Sequence, residues 1–316
     1  MSFMPAPPEQ PVLSVHPDKQ IISLTGEDVR DFLNDILTAQ INTLPSKTAR
    51  AACLLSPQGR ILFDMMVMAT ADTVCLVTEA KQAAPLAKRL AMYRLRRKIE
   101  ITVDPNLYAG HIWGEDHADF SVPNSCISAH DERHKDLGSL VLLSKTDGLP
   151  EQAEAEYWQA LRISLGVPEG AADLTPNRAL MLEAGLHLLG AIDFEKGCYI
   201  GQEVTARTHY RGLVKRRLLP ISASGRLTPA QTLQRSDTAI GKTGSTTSLP
   251  DGEYIALASL RLDAVQDSLA GTAELTTDNG QIISLQSRTG CTRYLALIWV
   301  IRINVGRFSL GRPATI

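Results

Sequence analysis

The sequence predicts a mixed α+β chain that closes with a small β-barrel. Three observations carry this. Short apolar runs at strand spacing alternate with helical periods over residues 12–205. After residue 213 the texture changes to short strands separated by glycine turns, the pattern of a small barrel. Asp278-Asn279-Gly280, inside that region, is a hairpin signal. The expected division is a disordered leader over 1–11, an α+β region of two interleaved subdomains over 12–205, a barrel over 206–285, and an atypical basic tail over 286–316.

Composition bounds the function classes. The chain has 316 residues and a formal net charge of −2, which argues against a chain-wide nucleic-acid footprint. Its five cysteines, Cys53, Cys75, Cys126, Cys198 and Cys291, are widely spaced and form no C-x-x-C pair. That argues against a disulfide framework and a self-contained zinc or cluster site, and fits a reducing compartment; the cytoplasm is expected. The Pro-rich start has no apolar core and does not read as a signal peptide. No apolar run reaches the length of a bilayer span, so no membrane role is expected.

The elements follow in order. Residues 12–24 suggest two strands around the His16-Pro17-Asp18 turn. Thr25 and Asp28 form a capping-box pattern before a helix that turns Val29, Phe32, Leu33, Ile36 and Leu37 inward. Strands are expected over 51–55 and 61–69, joined by the tight turn Ser56-Pro57-Gln58-Gly59-Arg60. Asp64 interrupts the second strand. A carboxylate there faces water, a partner or a ligand, because burying it alone costs several kcal/mol. A strand over 73–78 leads into a helix over 81–93 with Leu86, Leu90 and Tyr93 inward. That helix ends in Lys88, Arg89, Arg94, Arg96, Arg97 and Lys98. The basic end reads as a solvated helix terminus complementing the dipole, or as an anion site.

Strands return over 99–103, 108–113 and 139–143. His111, His117, His130 and His134 lie in this part at spacings that match no metal motif and read as surface-loop residues. A helix is expected over 151–165 with Tyr157, Trp158, Leu161 and Leu165 inward, closed by Gly166. Pro176 is expected to open a short helix through Ala184, in which Glu183 stands just after an apolar run. Barrel strands are expected over 213–222, 239–247, 254–262, 273–276 and 282–285.

The densest concentration of recognition chemistry is Asp193-Phe194-Glu195-Lys196-Gly197-Cys198-Tyr199-Ile200-Gly201-Gln202-Glu203. Two glycines allow turns that other residues resist. Lys196, two positions before Cys198, would favour its thiolate. One reading is a loop presenting an activated Cys198 beside a ligand. The other is a glycine-framed turn with Cys198 as a small buried hydrophobe.

Lys196-Gly197-Cys198-Tyr199-Ile200-Gly201-Gln202-Glu203 resembles the K-G-C-[FY]-x-G-Q-E signature of the YgfZ family, folate-binding proteins of iron–sulfur cluster assembly and repair. Val204-Thr205-Ala206-Arg207, Tyr210-Arg211-Gly212, Gly166-Val167-Pro168-Glu169 and Thr243-Gly244-Ser245 also resemble it. The family is related to the glycine-cleavage T-protein, a folate-dependent aminomethyltransferase. The resemblance therefore implies a T-protein-like folate-binding fold of ferredoxin-like α+β domains. Asp64 falls on an acid that faces folate in the T-protein, Phe63 replaces the neighbouring acid, and Leu182-Glu183-Ala184-Gly185 resembles the segment whose glutamate binds the pterin.

By resemblance, tetrahydrofolate or a derivative would occupy a central opening, held by Asp64 and Glu183 with Lys196, Tyr199, Gln202 and Arg207 as further binding residues. Cys198 would be a reactive thiol or transient cluster contact, and Asp64 an acid/base. The expected role is a folate-binding accessory factor for [4Fe–4S] proteins, including tRNA-thiolating enzymes, with iron–sulfur client or assembly proteins as partners. A folate-dependent one-carbon transferase is the alternative, and direct tRNA binding through the basic helix end ranks last.

Overall fold

The computed structural model describes residues 8–117, 120, 126–146, 155–212 and 214–285. The expected basic tail, Cys291 included, and the first part of the leader lie outside these. Residues 8–11 are packed rather than loose: the Glu115 N–H donates to the Pro8 carbonyl at 3.1 Å. Any Cβ on Gly114 would meet the Gln10 carbonyl at 2.9 Å.

The α+β region is built on one nine-stranded sheet of two antiparallel blocks. The first block holds β1 (Val12–Val15), β7 (Leu107–Trp113), β9 (Ser139–Ser144) and β8 (Ile127–Asp131). The second holds β3 (Thr48–Leu55), β4 (Ile61–Ala69), β5 (Thr73–Glu79), β2 (Lys19–Thr25) and β6 (Glu100–Asp104). The blocks meet at a short parallel pair, with Thr48 opposite His130 and Ala49 opposite Asp131. Consecutive β1 and β2 do not pair with each other. The turn after Val15 carries the chain from one block to the other, which puts His16 and Lys19 near the middle of the molecule.

Helix α1 (Val29–Ile36) buries Val29, Phe32, Leu33 and Ile36, as its period demands. Each such side chain contributes about 2 kcal/mol of burial. The expected capping box does not form. Thr25 ends β2, Gly26 turns at φ 134° against the Lys98 carbonyl, and Asp28 is the N-cap without a side-chain cap bond. Helix α2 (Ala80–Arg94) joins α1 over the second block through Ala83, Leu86 and Leu90.

Helix α3 (Ala155–Ser164) has two apolar faces. Trp158 and Leu161 enter the sheet core, whereas Ala160 and Ile163 pack on Leu218, Leu249, Ile255 and Leu257 of the barrel side. Being shared in this way leaves little solvent face, and Tyr157, expected inward, takes it at 43% exposure. The barrel is closed in the order β10 (Arg216–Ala223), β13 (Tyr254–Arg261), β12 (Thr238–Ser248), β11 (Thr232–Arg235), β14 (Leu275–Thr277), β15 (Ile282–Leu285). Closure removes the exposed edges that so short a sheet would otherwise present. Short α4 (Gly170–Asp173) ties the two parts together. Arg162 donates to Asp173 at 2.8 Å and to the Ser245 hydroxyl at 2.7 Å, and Ser245 N–H donates to Asp173 at 2.7 Å. Gly244 is required there, because a Cβ would sit 2.4 Å from the Asp173 carboxylate. The helix expected after Pro176 is instead a run of turns. Its backbone lies along the start of β4, with Asn177 N–H bonded to the Ile61 carbonyl at 2.7 Å and a bridge between Arg60 and Leu180.

Candidate functional site

The 193–203 segment is a loop fixed at several points along its length. Thr38 anchors it: its hydroxyl donates to the Ala191 carbonyl at 2.7 Å, and its own carbonyl accepts from Asp193 N–H at 3.0 Å. The Asp193 carboxylate then closes a turn by accepting from Glu195 and Lys196 N–H at 2.8 and 3.0 Å. Lys196 Nζ donates to the carbonyls of Asn34, Leu37 and Ala39 at 2.5, 2.8 and 2.7 Å. Those carbonyls lie at and just past the end of α1, where the helix leaves acceptors unsatisfied and the dipole favours a cation. Burial lowers the Lys196 ammonium to about 8 against the opposing pull of Asp193 and Asp35, so it stays charged at neutral pH. Lys196 is therefore a clamp on α1, with its three donors all engaged, rather than the expected activator of Cys198.

Tyr199 is buried and its N–H donates to Gln202 Oε1 at 3.3 Å, which closes the turn into α5 (Gln202–Arg211). Gly201, the N-cap of α5, has φ 84°, and a Cβ there would lie 2.5 Å from the Ser56 carbonyl. The loop thus packs directly on the Ser56–Arg60 turn. Between Lys196 and Tyr199, Cys198 is exposed, the only exposed cysteine among the described residues. The buried-hydrophobe reading of Cys198 fails. Phe194 stacks on His209 of α5 at 4.2 Å, and Tyr210 beside them is 75% exposed. Arg207 lies on the exposed face of α5.

The centre of the molecule is occupied by a buried ion network. Lys19 Nζ lies 2.9 Å from Glu169, Arg133 reaches Glu169 at 2.5 Å and Asp131 at 2.7 Å, and His111 contacts Asp131 at 3.1 Å. His16 Nε2 meets His111 Nδ1 at 2.8 Å, and the His111 ring stacks on Trp158 at 3.8 Å. Burial lowers both imidazoles, leaving them neutral. The bonding direction then runs from His16 to His111 to Asp131, because only a donated proton suits a carboxylate. Burial acts to raise Asp131, but Arg133 and the His111 bond outweigh it and hold the carboxyl down at about 2. Glu169 is held well below the usual range against burial by Lys19 and Arg133. His111 was read from sequence as a surface residue; it is 2% exposed and central.

The two expected folate acids line different cavities. Asp64 borders the central cavity, accepts the Gly170 N–H at 3.0 Å, and is raised by burial against the opposing charge of Lys19. Glu183 lines a different cleft of about 140 Å³ with Gly59, Leu182, Val204, Thr205 and Thr208. Burial raises it too, against Arg216, Arg217 and Arg60. The central cavity measures about 30 Å³. That is the room of one water, where a drug-sized ligand takes roughly 300 Å³ or more. The central cavity as its side chains are arranged is too small for a pterin, and Glu183 does not line it. Lys196, Cys198, Tyr199 and Gln202 do share one segment: Lys196 is turned to the end of α1, Gln202 accepts the Tyr199 N–H, Cys198 faces solvent, and the Tyr199 hydroxyl is buried without a partner among the described residues.

Comparison with known proteins is consistent with this geometry. Residues 215–284 match the family model described as CAF17, C-terminal beta-barrel domain. The iron–sulfur cluster assembly factor IBA57, mitochondrial, of Mus musculus is 28% identical over 300 residues, 84% of this chain and 81% of its own length. The Homo sapiens protein of that name is 30% identical over 261 residues, 71% of each chain. The homolog of Pyricularia oryzae is 30% identical over 214 residues, and only 55% of its length is spanned. Among solved structures, the glycine cleavage system aminomethyltransferase T of Bartonella henselae superposes with a TM-score of 0.70 at 17% identity, covering 90% of this chain and 86% of that one. That likeness establishes the T-protein-like fold. The cytoplasmic expectation is overturned by the relatives, which are named mitochondrial. Reduced, unpaired thiols suit either compartment, so cysteine usage had no power to separate them. The kinship expected from the Lys196–Glu203 signature holds at the level of iron–sulfur cluster assembly factors, and these relatives carry the IBA57 name. With 30% identity across 71% of both chains, and the barrel and the fold to match, the chain belongs to the IBA57 family of iron–sulfur cluster assembly factors.

Proposed function

We propose that this chain serves the assembly or repair of [4Fe–4S] proteins by presenting Cys198 as an exposed thiol on a fixed loop, and that it does so without a bound pterin. The observation that carries this is the contrast within one segment. Asp193, Lys196, Tyr199 and Gly201 are each pinned or packed, while Cys198 between them is exposed and is the one thiol the segment offers to solvent. Such a fixed, exposed thiol suits transient contact with a cluster that is cargo. One thiolate cannot hold a cluster that takes four, so the remaining ligands come from the partner protein.

Cys198→Ala, introduced into cells that depend on this chain, should lower the activity of [4Fe–4S] enzymes on the order of tenfold, the loss of one contact worth at least 1.4 kcal/mol. Its unfolding midpoint should stay near wild type, because surface substitutions change stability by about 0.5 kcal/mol or less. Unchanged enzyme activity would remove Cys198 from the mechanism.

Titrating the purified chain with tetrahydrofolate tests the second half of the reading. No saturable binding is expected, since the central cavity lined by Lys19, Arg133 and Glu169 has only about 30 Å³ of room. Saturable binding that both Asp64→Ala and Glu183→Ala weaken would restore the folate-dependent reading and, with it, the transferase alternative.

A further inference from the structure

The turn that ends α2 carries a residue the fold does not need. Arg94-Leu95-Arg96-Arg97 is a β-turn closed by the Arg97 N–H on the Arg94 carbonyl at 3.1 Å. Leu95 has φ 53° and ψ −114°. That is the first central position of a type II′ turn, which glycine favours and where a branched side chain strains the backbone. Buried contacts do not offset the strain, because Leu95 is 84% exposed. Met92, three residues earlier, is 54% exposed.

The tip is also basic, and its charges fall into two groups. Arg94 and Arg97 serve the fold: Arg94 donates to the Ile99 carbonyl at 2.5 Å, and Arg97 pairs with Asp35 at 2.6 Å above the Phe32 ring. Lys88, Arg96 and Lys98 are exposed, and none is in an ion pair among the described residues. Beneath the turn runs a groove of about 1330 Å³ lined by Glu27, Asp28, Phe32, Asp35, Ile36 and Tyr93. One wall of that groove is α1, the helix whose terminal carbonyls hold Lys196. The groove and the Cys198 loop are therefore joined through a single rigid element.

We infer that this tip and groove dock a protein partner whose surface offers an apolar pocket to Leu95 and carboxylates to Arg96 and Lys98. Charge pattern selects a protein over other occupants. Exposed Glu27 and Asp28 stand in the same groove as Arg96 and Lys98, a mixed-sign pattern that suits a protein face, which can match both signs, better than the uniformly anionic phosphates of RNA or a lipid surface. An apolar anchor ringed by polar contacts is also how binding energy concentrates at protein interfaces. That the partner is an iron–sulfur protein rests on the function proposed above; the docking itself does not.

The test uses the full chain in cells that depend on it, with p-benzoylphenylalanine in place of Met92 for photo-crosslinking. The expected product is a protein crosslinked through a segment bearing apolar and acidic residues. Its yield should fall about tenfold with either Leu95→Gly or the Arg96→Glu, Lys98→Glu pair. In purified protein Leu95→Gly should raise Tm by about 2 °C through relief of strain. A lowered Tm would show that Leu95 serves the fold and would overturn the inference. So would crosslinks to RNA, lipid or a second copy alone, no crosslink, or a yield indifferent to Leu95→Gly. If the crosslink behaves as expected while the wild-type chain fails to support [4Fe–4S] enzymes, the docking site stands and the assembly reading falls.

Discussion

Replacing Arg133 with Met should cost about 3–5 kcal/mol of folding stability, because it leaves buried carboxylates without their cation. Arg133 makes contacts of 2.7 Å to Asp131 and 2.5 Å to Glu169, and its side chain is 3% exposed. Glu169 keeps Lys19 at 2.9 Å, so the larger share of the loss falls on Asp131, which retains the neutral His111 and the backbone N–H of residue 133 but no cation. Denaturant unfolding should show a lower midpoint at constant slope. Adding Asp131→Asn to Arg133→Met should recover part of the loss, since the orphaned charge is then gone. A single variant within 1 kcal/mol of wild type would mean that water reaches the network.

The same network sets the response to acid. His16 and His111 are depressed from 6.5 by burial. The unfolded chain therefore binds protons first as pH falls below about 6.5, and stability declines from there. Asp131 is depressed to about 2, so its contribution is complete above its unfolded value of 3.8 and is lost between 3.8 and about 2. Asp64 and Glu183, raised by burial, act with the opposite sign and soften the decline. Because Arg133→Met removes the cause of the Asp131 depression, the gap between variant and wild type should narrow toward pH 2. A gap constant from pH 7 to pH 2 would show that the loss is one of packing.

Periodicity made α1, α2 and most strands legible, because a buried face leaves its mark on the residues that form it. Phe32 and Leu33 were placed inward on that basis, and they are. The capping box at Thr25 misled because the same residue types also end a strand before a glycine turn. The signature loop was legible as a place but not as a mechanism. Lys196 lies two residues from Cys198 in sequence, yet its ammonium reaches back about 160 residues to the end of α1, a contact no local window contains. The ion network was invisible for the same reason. His16, His111, Asp131 and Glu169 come from separate turns and strands, so no local window contains the network. Asp64 stands out in the sequence as an acid within an apolar strand. Its partners, Lys19 and the Gly170 N–H, are internal ones that a sequence cannot distinguish from a ligand.

Gly201→Ala should cost about 2–4 kcal/mol, from a left-handed backbone and a steric conflict acting together. Gly201 has φ 84° and ψ 0°, and an added Cβ would lie 2.5 Å from the Ser56 carbonyl and 3.1 Å from Gly59 Cα. Neither neighbour is a flexible side-chain end, so the loop itself has to move. Gly212 at the other end of α5 is the internal control. It has φ 62° and nothing within 4 Å of an added Cβ, so Gly212→Ala carries the backbone cost alone, about 1 kcal/mol. The difference between the two variants isolates the contact between the Cys198 loop and the Ser56–Arg60 turn. It also separates position from stability. If Cys198 acts because the loop holds it in one place, Gly201→Ala should depress [4Fe–4S] enzyme activity well below that of a variant destabilised equally elsewhere, such as one with a truncated core leucine. Equal activity at equal stability would mean that the loop needs only to be folded, and that the placement of the thiol is set by the partner.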